Sequence, residues 1–107
     1  MSYSVLEFQK LIDELVTLMG HNNNEDAREF YFNKLEDYFK GLDLIGKDSK
    51  FQKIIVLYYN ISEYFTNPGA SYFGIVTKEE IIDTYYSKEF QDNLIHAIKM
   101  EGKEKGS

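Results

Sequence analysis

Residues 51–65 read FQKIIVLYYNISEYF, and the fold turns on whether this stretch is a strand or a helix. Its middle, Ile54 to Tyr59, is β-branched and aromatic enough for a buried strand. The spacing argues otherwise. Phe51, Ile54, Ile55, Tyr58, Ile61 and Phe65 recur every three or four residues, Leu57 and Tyr64 widen that face, and Gln52, Lys53, Asn60 and Glu63 leave only a narrow polar strip. The run is also longer than an ordinary strand. The sequence therefore predicts a central, most buried helix, capped by Asp48 or Ser49 and ended by Thr66, Asn67, Pro68 and Gly69, since proline cannot continue it.

Working towards the N-terminus, a second helix fits Glu25 to Lys40, with Asn24 as its cap and Gly41 as its stop. Ala27, Tyr31, Leu35 and Tyr38 form its inner stripe, with Phe30 on one flank and Phe32 and Phe39 on the other. Those flanking rings either meet neighbouring helices or serve a partner. The first helix has fuller start chemistry. Ser4 and Glu7 form a capping box, Tyr3 and Phe8 a hydrophobic staple, and Gly20 provides a left-handed stop after Phe8, Leu11, Ile12, Leu15, Leu18 and Met19.

Working towards the C-terminus, Ala70 to Val76 reads as an irregular loop or short extended stretch that carries Tyr72 and Phe73 between Gly69 and Gly74, followed by Ile75 and Val76. Thr77 and Glu80 then form a second capping box, with Val76 and Ile81 as its staple. A helix follows from Lys78, and Ser87 either breaks it and caps a last helix through Phe90, Leu94, Ile95 and Ile98 or leaves one kinked helix. The expected fold class is all-α, a compact bundle of four to five helices. Residues 1–101 form a single domain and residues 102–107 a frayed tail.

The chain of 107 residues carries 18 acidic and 12 basic side chains for a net charge of −6, and only one of the bases, Arg28, is an arginine. The imbalance is local: residues 1–46 hold a net −5 and the remainder −1. Such a field attracts basic surfaces and repels nucleic acid and anionic lipid. There is no cysteine, hence no disulfide or thiolate metal site. Met1 to Lys10 has no basic region followed by an apolar core and no apolar run is of membrane length, so neither secretion nor membrane insertion is expected, and the lack of cysteine suits the expected cytoplasmic location. His21 and His96 lack the spacing of a zinc pair. The neighbouring acids Asp13 with Glu14, Glu36 with Asp37, and Glu79 with Glu80 diverge by about 100° on a helix and cannot share a substrate. Neither a phosphate loop, a nucleophile elbow nor a calcium loop can be assembled. The expectation is a protein that is not an enzyme and uses no cofactor or metal.

Nine tyrosines and eight phenylalanines exceed what such a short core obviously needs. Exposed phenols and acidic fields both favour protein partners. The expected partner-binding residues are the acids Glu25, Asp26, Glu29, Glu36 and Asp37 together with Tyr72 and Phe73. The stretch Asn67, Pro68, Gly69, Ala70, Ser71, Tyr72, Phe73 is similar in outline to the Pro-Asp-Gly segment leading into paired tyrosines of colicin nuclease immunity proteins, although the interspersed acids are missing and the second tyrosine is Phe73. In size, acidity and helical plan the whole chain resembles small bacterial immunity proteins of colicin-type or contact-delivered toxin systems. The resemblance implies a stoichiometric inhibitor that binds a basic toxin domain, with a nuclease one such target and Tyr72 and Phe73 as the positions it carries over; the chain itself is expected to be a monomer or weak homodimer. Two alternatives stand beside it: an acidic nucleic-acid mimic from a phage or plasmid, and a self-associating helical module.

Overall fold

The computed structural model describes residues 3–47 and 49–106, with side chains through Lys103. Among the described residues there is no strand, and the fold is all-α. Helix α1 spans Val5–Gly20, α2 Asn24–Phe30, α3 Glu36–Leu42, α4 Gln52–Thr66, α5 Pro68–Tyr72, α6 Lys78–Tyr86 and α7 Lys88–Gly106. A π-helical turn at Tyr31–Leu35 joins α2 and α3 into one rod, so the described residues form six helical rods. The extra one, beyond the four or five expected, is α5.

The reason is the double meaning of proline. Pro68 does end α4, and Asn67 before it is extended (φ −122°, ψ 95°). A proline is also preorganised for the first turn of a helix, where no N–H is needed. Asn67 Oδ1 accepts the Gly69 N–H at 3.1 Å, and one short helix starts where only a loop was expected. Gly74 (φ +73°) closes it: its N–H donates to Ser71 O at 3.2 Å, and the Ile75 N–H donates to Ala70 O at 2.8 Å.

The same left-handed closure ends α1, but at Asn22 rather than Gly20. Asn22 has φ +59°, and the Asn22 and Asn23 N–H groups donate to Met19 O and Leu18 O at 3.1 and 3.0 Å. Gly20 remains helical. Gly41 is likewise inside α3, where the Tyr3 ring lies over it and would collide with any Cβ; the left-handed stop is Asp43 (φ +53°). At the start of α2 the cap position belongs to Asn23, with Asn24 the first helical residue. A 3₁₀ turn at Ser49–Phe51 leads into α4, which has no side-chain cap bond; Asp48 lies outside the described residues.

Each capping box is half formed. Ser4 Oγ accepts Glu7 N–H at 3.1 Å, but the Ser4 N–H goes to Tyr38 Oη at 3.0 Å while the Glu7 carboxylate pairs with Lys10. Thr77 Oγ1 accepts Glu80 N–H at 3.2 Å. The expected Tyr3–Phe8 staple runs through Tyr38, whose ring sits 5.0 Å from Tyr3 and 6.2 Å from Phe8. Ser87 is extended and breaks α6 from α7, accepting the Phe90 N–H at 3.2 Å.

Val5, Phe8, Ile12, Leu15, Val16 and Met19 of α1 are all buried, as are Ile54, Ile55, Leu57, Tyr58, Ile61 and Phe65 of α4. α1 packs on the α2–α3 rod, α6 and α7, and so shares the central place expected of α4 alone. The polar strip of α4 is broken by Val56 and Tyr59, both half exposed. In the rod, the buried residues are Ala27, Phe30, Tyr31, Leu35 and Phe39, with Tyr38 only partly buried. The π turn explains the shift: its wider winding keeps residues four apart on one face, and the inner stripe moves from Tyr38 to Phe39. Phe39 then stacks on Tyr58 with ring centres 3.8 Å apart.

Most of the aromatic surplus is core. Tyr31 Oη is 2.9 Å from Ser62 Oγ and 3.2 Å from Tyr58 Oη, which gives two buried hydroxyls partners. Tyr85 Oη donates to Asp13 at 3.0 Å and accepts from Gln9 Nε2 at 3.1 Å. Burial pushes the Tyr85 phenol up to about 12, with Gln9 opposing the shift and Asp13 adding to it. Burial, then Tyr31 and Glu36, raise the Tyr58 phenol well above its ordinary range. At the other terminus α7 continues through Gly106, across the segment expected to fray. Glu101, at its edge, accepts the Val5 N–H.

Candidate functional site

Between α5 and α6 the chain makes a short apolar turn that the core does not absorb. Ala70 and Val76 are buried and pin it at both ends, while Tyr72, Phe73 and Ile75 are 83, 75 and 69 % exposed. The Tyr72 and Phe73 rings meet edge to face, 5.0 Å apart. The turn is built rather than slack: Asn67 caps its short helix, and the closure around Gly74 fixes where the two rings leave the surface.

Its neighbour is the start of α2. Asn24 and Arg28 face Tyr64, Pro68, Ser71 and Tyr72 across a shallow hollow. Arg28 is occupied there, donating through Nη1 to Phe65 O at 3.0 Å and lying 4.9 Å from the Phe32 ring centre. The one arginine of the chain thus satisfies a carbonyl in the last turn of α4. Lys78 Nζ donates to Asn22 Oδ1, tying the start of α6 to the loop between α1 and α2.

The five acids expected to face a partner are spread along the rod. Glu25 is exposed and, like Glu29, is next in sequence to a residue of the aromatic hollow, Asn24 for the one and Arg28 for the other. Asp26 and Glu29 are also exposed, and they share a second hollow with Glu14 of α1, bordered by Phe30 and Lys34. Asp26 accepts from Asn23 Nδ2 at 2.8 Å. Glu36 and Asp37 lie beyond the π turn, 11 and 12 residues along the rod from Glu25. Asp37 is exposed, whereas Glu36 is half buried and turned inward, 3.4 Å from Tyr31 Oη and 3.9 Å from Lys40 Nζ. The fold therefore gathers Tyr72, Phe73 and the start of α2 at one end, and leaves Glu36 and Asp37 apart from them.

Ile75, exposed on the same turn, is not among the residues that the sequence marks for a partner. Its signal was faint: only the tight closure after Gly74 determines that Val76 turns in and Ile75 turns out. His21 and His96 are both exposed, and among the described residues no group of three or more His, Asp or Glu side chains could hold a metal ion. Among the described residues no helix is long and apolar enough to cross a membrane.

No protein-family model matches this chain, and neither a curated protein nor a solved structure is significantly similar to it.

Proposed function

We propose that the chain is a non-catalytic binding domain that captures a basic protein, acting as an immunity protein that neutralises a bacterial toxin. The observation that carries this reading is the exposure of Tyr72 and Phe73 on a pinned turn. Burying one large apolar side chain is worth roughly 1.5–3 kcal/mol, so a fold that holds two rings out forgoes a substantial stabilisation of its own. A partner that covers them recovers it, and desolvated aromatics of this kind are typical hot spots. The acidic excess of the first 46 residues supplies long-range attraction for a basic partner. The toxin assignment rests on the resemblance of the chain in size, acidity and helical plan to immunity proteins.

The protein used as bait in an extract of its native host should retain a basic protein in a one-to-one complex, and Tyr72→Ala should release it. Capture of an acidic protein, or a complex indifferent to Tyr72→Ala, would overturn the reading. The same exposed rings also favour self-association, against which the net charge of −6 works; light scattering that finds a dimer at low concentration would favour that second reading.

A further inference from the structure

A groove runs between α4 and α6, on a different part of the surface from the acids of α2. Its floor is Leu57, Ile81 and Phe90, all buried. At one end it encloses about 350 Å³ beside the half-exposed Val56, and the Lys53–Glu89 ion pair at 2.7 Å borders it there. At the other end it opens into a second hollow that shares Asn60 and Thr84 with the first and reaches Ile75. Glu80 and Asp83 line that open end. Among the described residues neither carboxylate takes part in an ion pair or a side-chain hydrogen bond.

We infer that this groove seats a short apolar segment of the partner protein carrying a lysine or arginine that pairs with Asp83 and Glu80. The inference rests on the reading of the chain as a binder of a basic protein, and it adds where the partner's apolar side chains go and which charge accompanies them. Two observations select that occupant. An apolar segment without a cation would cover two carboxylates and leave them unpaired, which is costly, whereas a basic one satisfies them beside an apolar floor where the pairing is strengthened. The groove also reaches Ile75, two residues after Phe73 on the same short turn, so a single partner surface can cover the turn and enter the groove. Binding of this kind gains from buried apolar anchors in the groove and takes its specificity from the flanking charges.

Random linear peptides on phage, selected against the folded protein, test the inference directly. The enriched sequences should place a lysine or arginine beside apolar residues. Their affinity should fall about tenfold or more for Val56→Asp and for Asp83→Lys, the loss of one good anchor or charge pair. Both sites are exposed, and circular dichroism establishes that each variant remains helical; Asp83→Asn, with a smaller loss in the same direction, replaces any variant that does not fold. Enrichment of nothing, of sequences lacking a cation, or of peptides indifferent to the groove variants overturns the inference. Tyr72→Ala separates the two levels. Peptides weakened by Tyr72→Ala alone leave the turn standing and remove the groove, whereas peptides weakened only by the groove variants sustain the groove and count against the turn.

Discussion

Glu101 and Val5, 96 positions apart, are joined by a hydrogen bond: the Glu101 carboxylate accepts the Val5 backbone N–H at 2.9 Å. Val5 is the first residue of α1, whose opening N–H groups have no partner within the helix. The contact supplies one such partner and also sets a negative charge at the positive end of the helix dipole. It draws the last helix back onto the first.

Glu101→Ala should therefore lower stability by about 1 kcal/mol, the usual cost of a lost helix cap, and the melting temperature by roughly 4–8 °C for a domain of this size. Glu101→Gln should lose less, because the amide oxygen still accepts. Thermal unfolding followed at 222 nm checks both, and an unchanged midpoint for Glu101→Ala would show that water serves Val5 equally well.

Tyr72→Ala should leave the unfolding midpoint within about 0.5 kcal/mol of the parent, as expected of an exposed side chain. For the complex it should raise the dissociation rate by about thirtyfold, equivalent to roughly 2 kcal/mol at a hot spot. Denaturant unfolding and surface plasmon resonance on the same preparation decide it. A large loss of stability would assign Tyr72 to the core.

Tyr31→Phe should behave in the opposite way. It deprives Ser62 and Tyr58 of a buried partner, at a cost of about 1–3 kcal/mol in urea unfolding. Binding by the folded fraction should be unaffected.

Alkaline pH should weaken the fold through Tyr58 and Tyr85. Both phenols are held above their ordinary value of about 10 by burial. The sign follows: their contribution is complete below about pH 10, where both states keep the proton, and falls above it because only the unfolded chain ionises. Each phenol should remove about 1.4 kcal/mol per pH unit from about pH 10 up to its own folded value. Urea midpoints measured from pH 8 to pH 11.5, with tyrosinate absorbance followed in parallel, check the slope. Ionisation of all nine tyrosines without unfolding would contradict it.

Association with the partner should be fast and should slow as salt is added. Glu29→Gln should lower the on-rate alone, while Glu36→Gln, which alters a side chain turned towards Tyr31, should also affect stability. Stopped-flow kinetics at several ionic strengths separate these effects. An on-rate indifferent to salt and to Glu29 would make the acidic face a solubility device.

Much of the bundle could be read from local chemistry. Ser4, Thr77 and Ser87 announce helix starts because a hydroxyl that caps acts within three residues, and the spacing from Phe51 to Phe65 excludes a strand. The errors share a different cause. Asn22 rather than Gly20 takes the left-handed position, and Gly41 is needed for the Tyr3 ring, because both choices depend on how neighbouring helices approach. The π turn moves the inner stripe to Phe39 through a change of winding that periodicity at 3.6 residues cannot reveal. The candidate site divides in the same way. Tyr72 and Phe73 stood out as aromatics without a stripe to join, but Ile75 and the groove beside Val56 are products of packing.

Helix α1 is a strut with distinct poles. At one pole Val5 meets Glu101, and at the other, about 24 Å away at ~1.5 Å per residue, Asn22 meets Lys78 close to the exposed turn. Anything attached before Val5 or beyond Glu101 departs from the far pole. The protein can therefore be tethered to a bead, a chip or a second domain by either end with its aromatic rings facing outward, and a linker that joined the two ends would let the chain be reopened elsewhere without disturbing them.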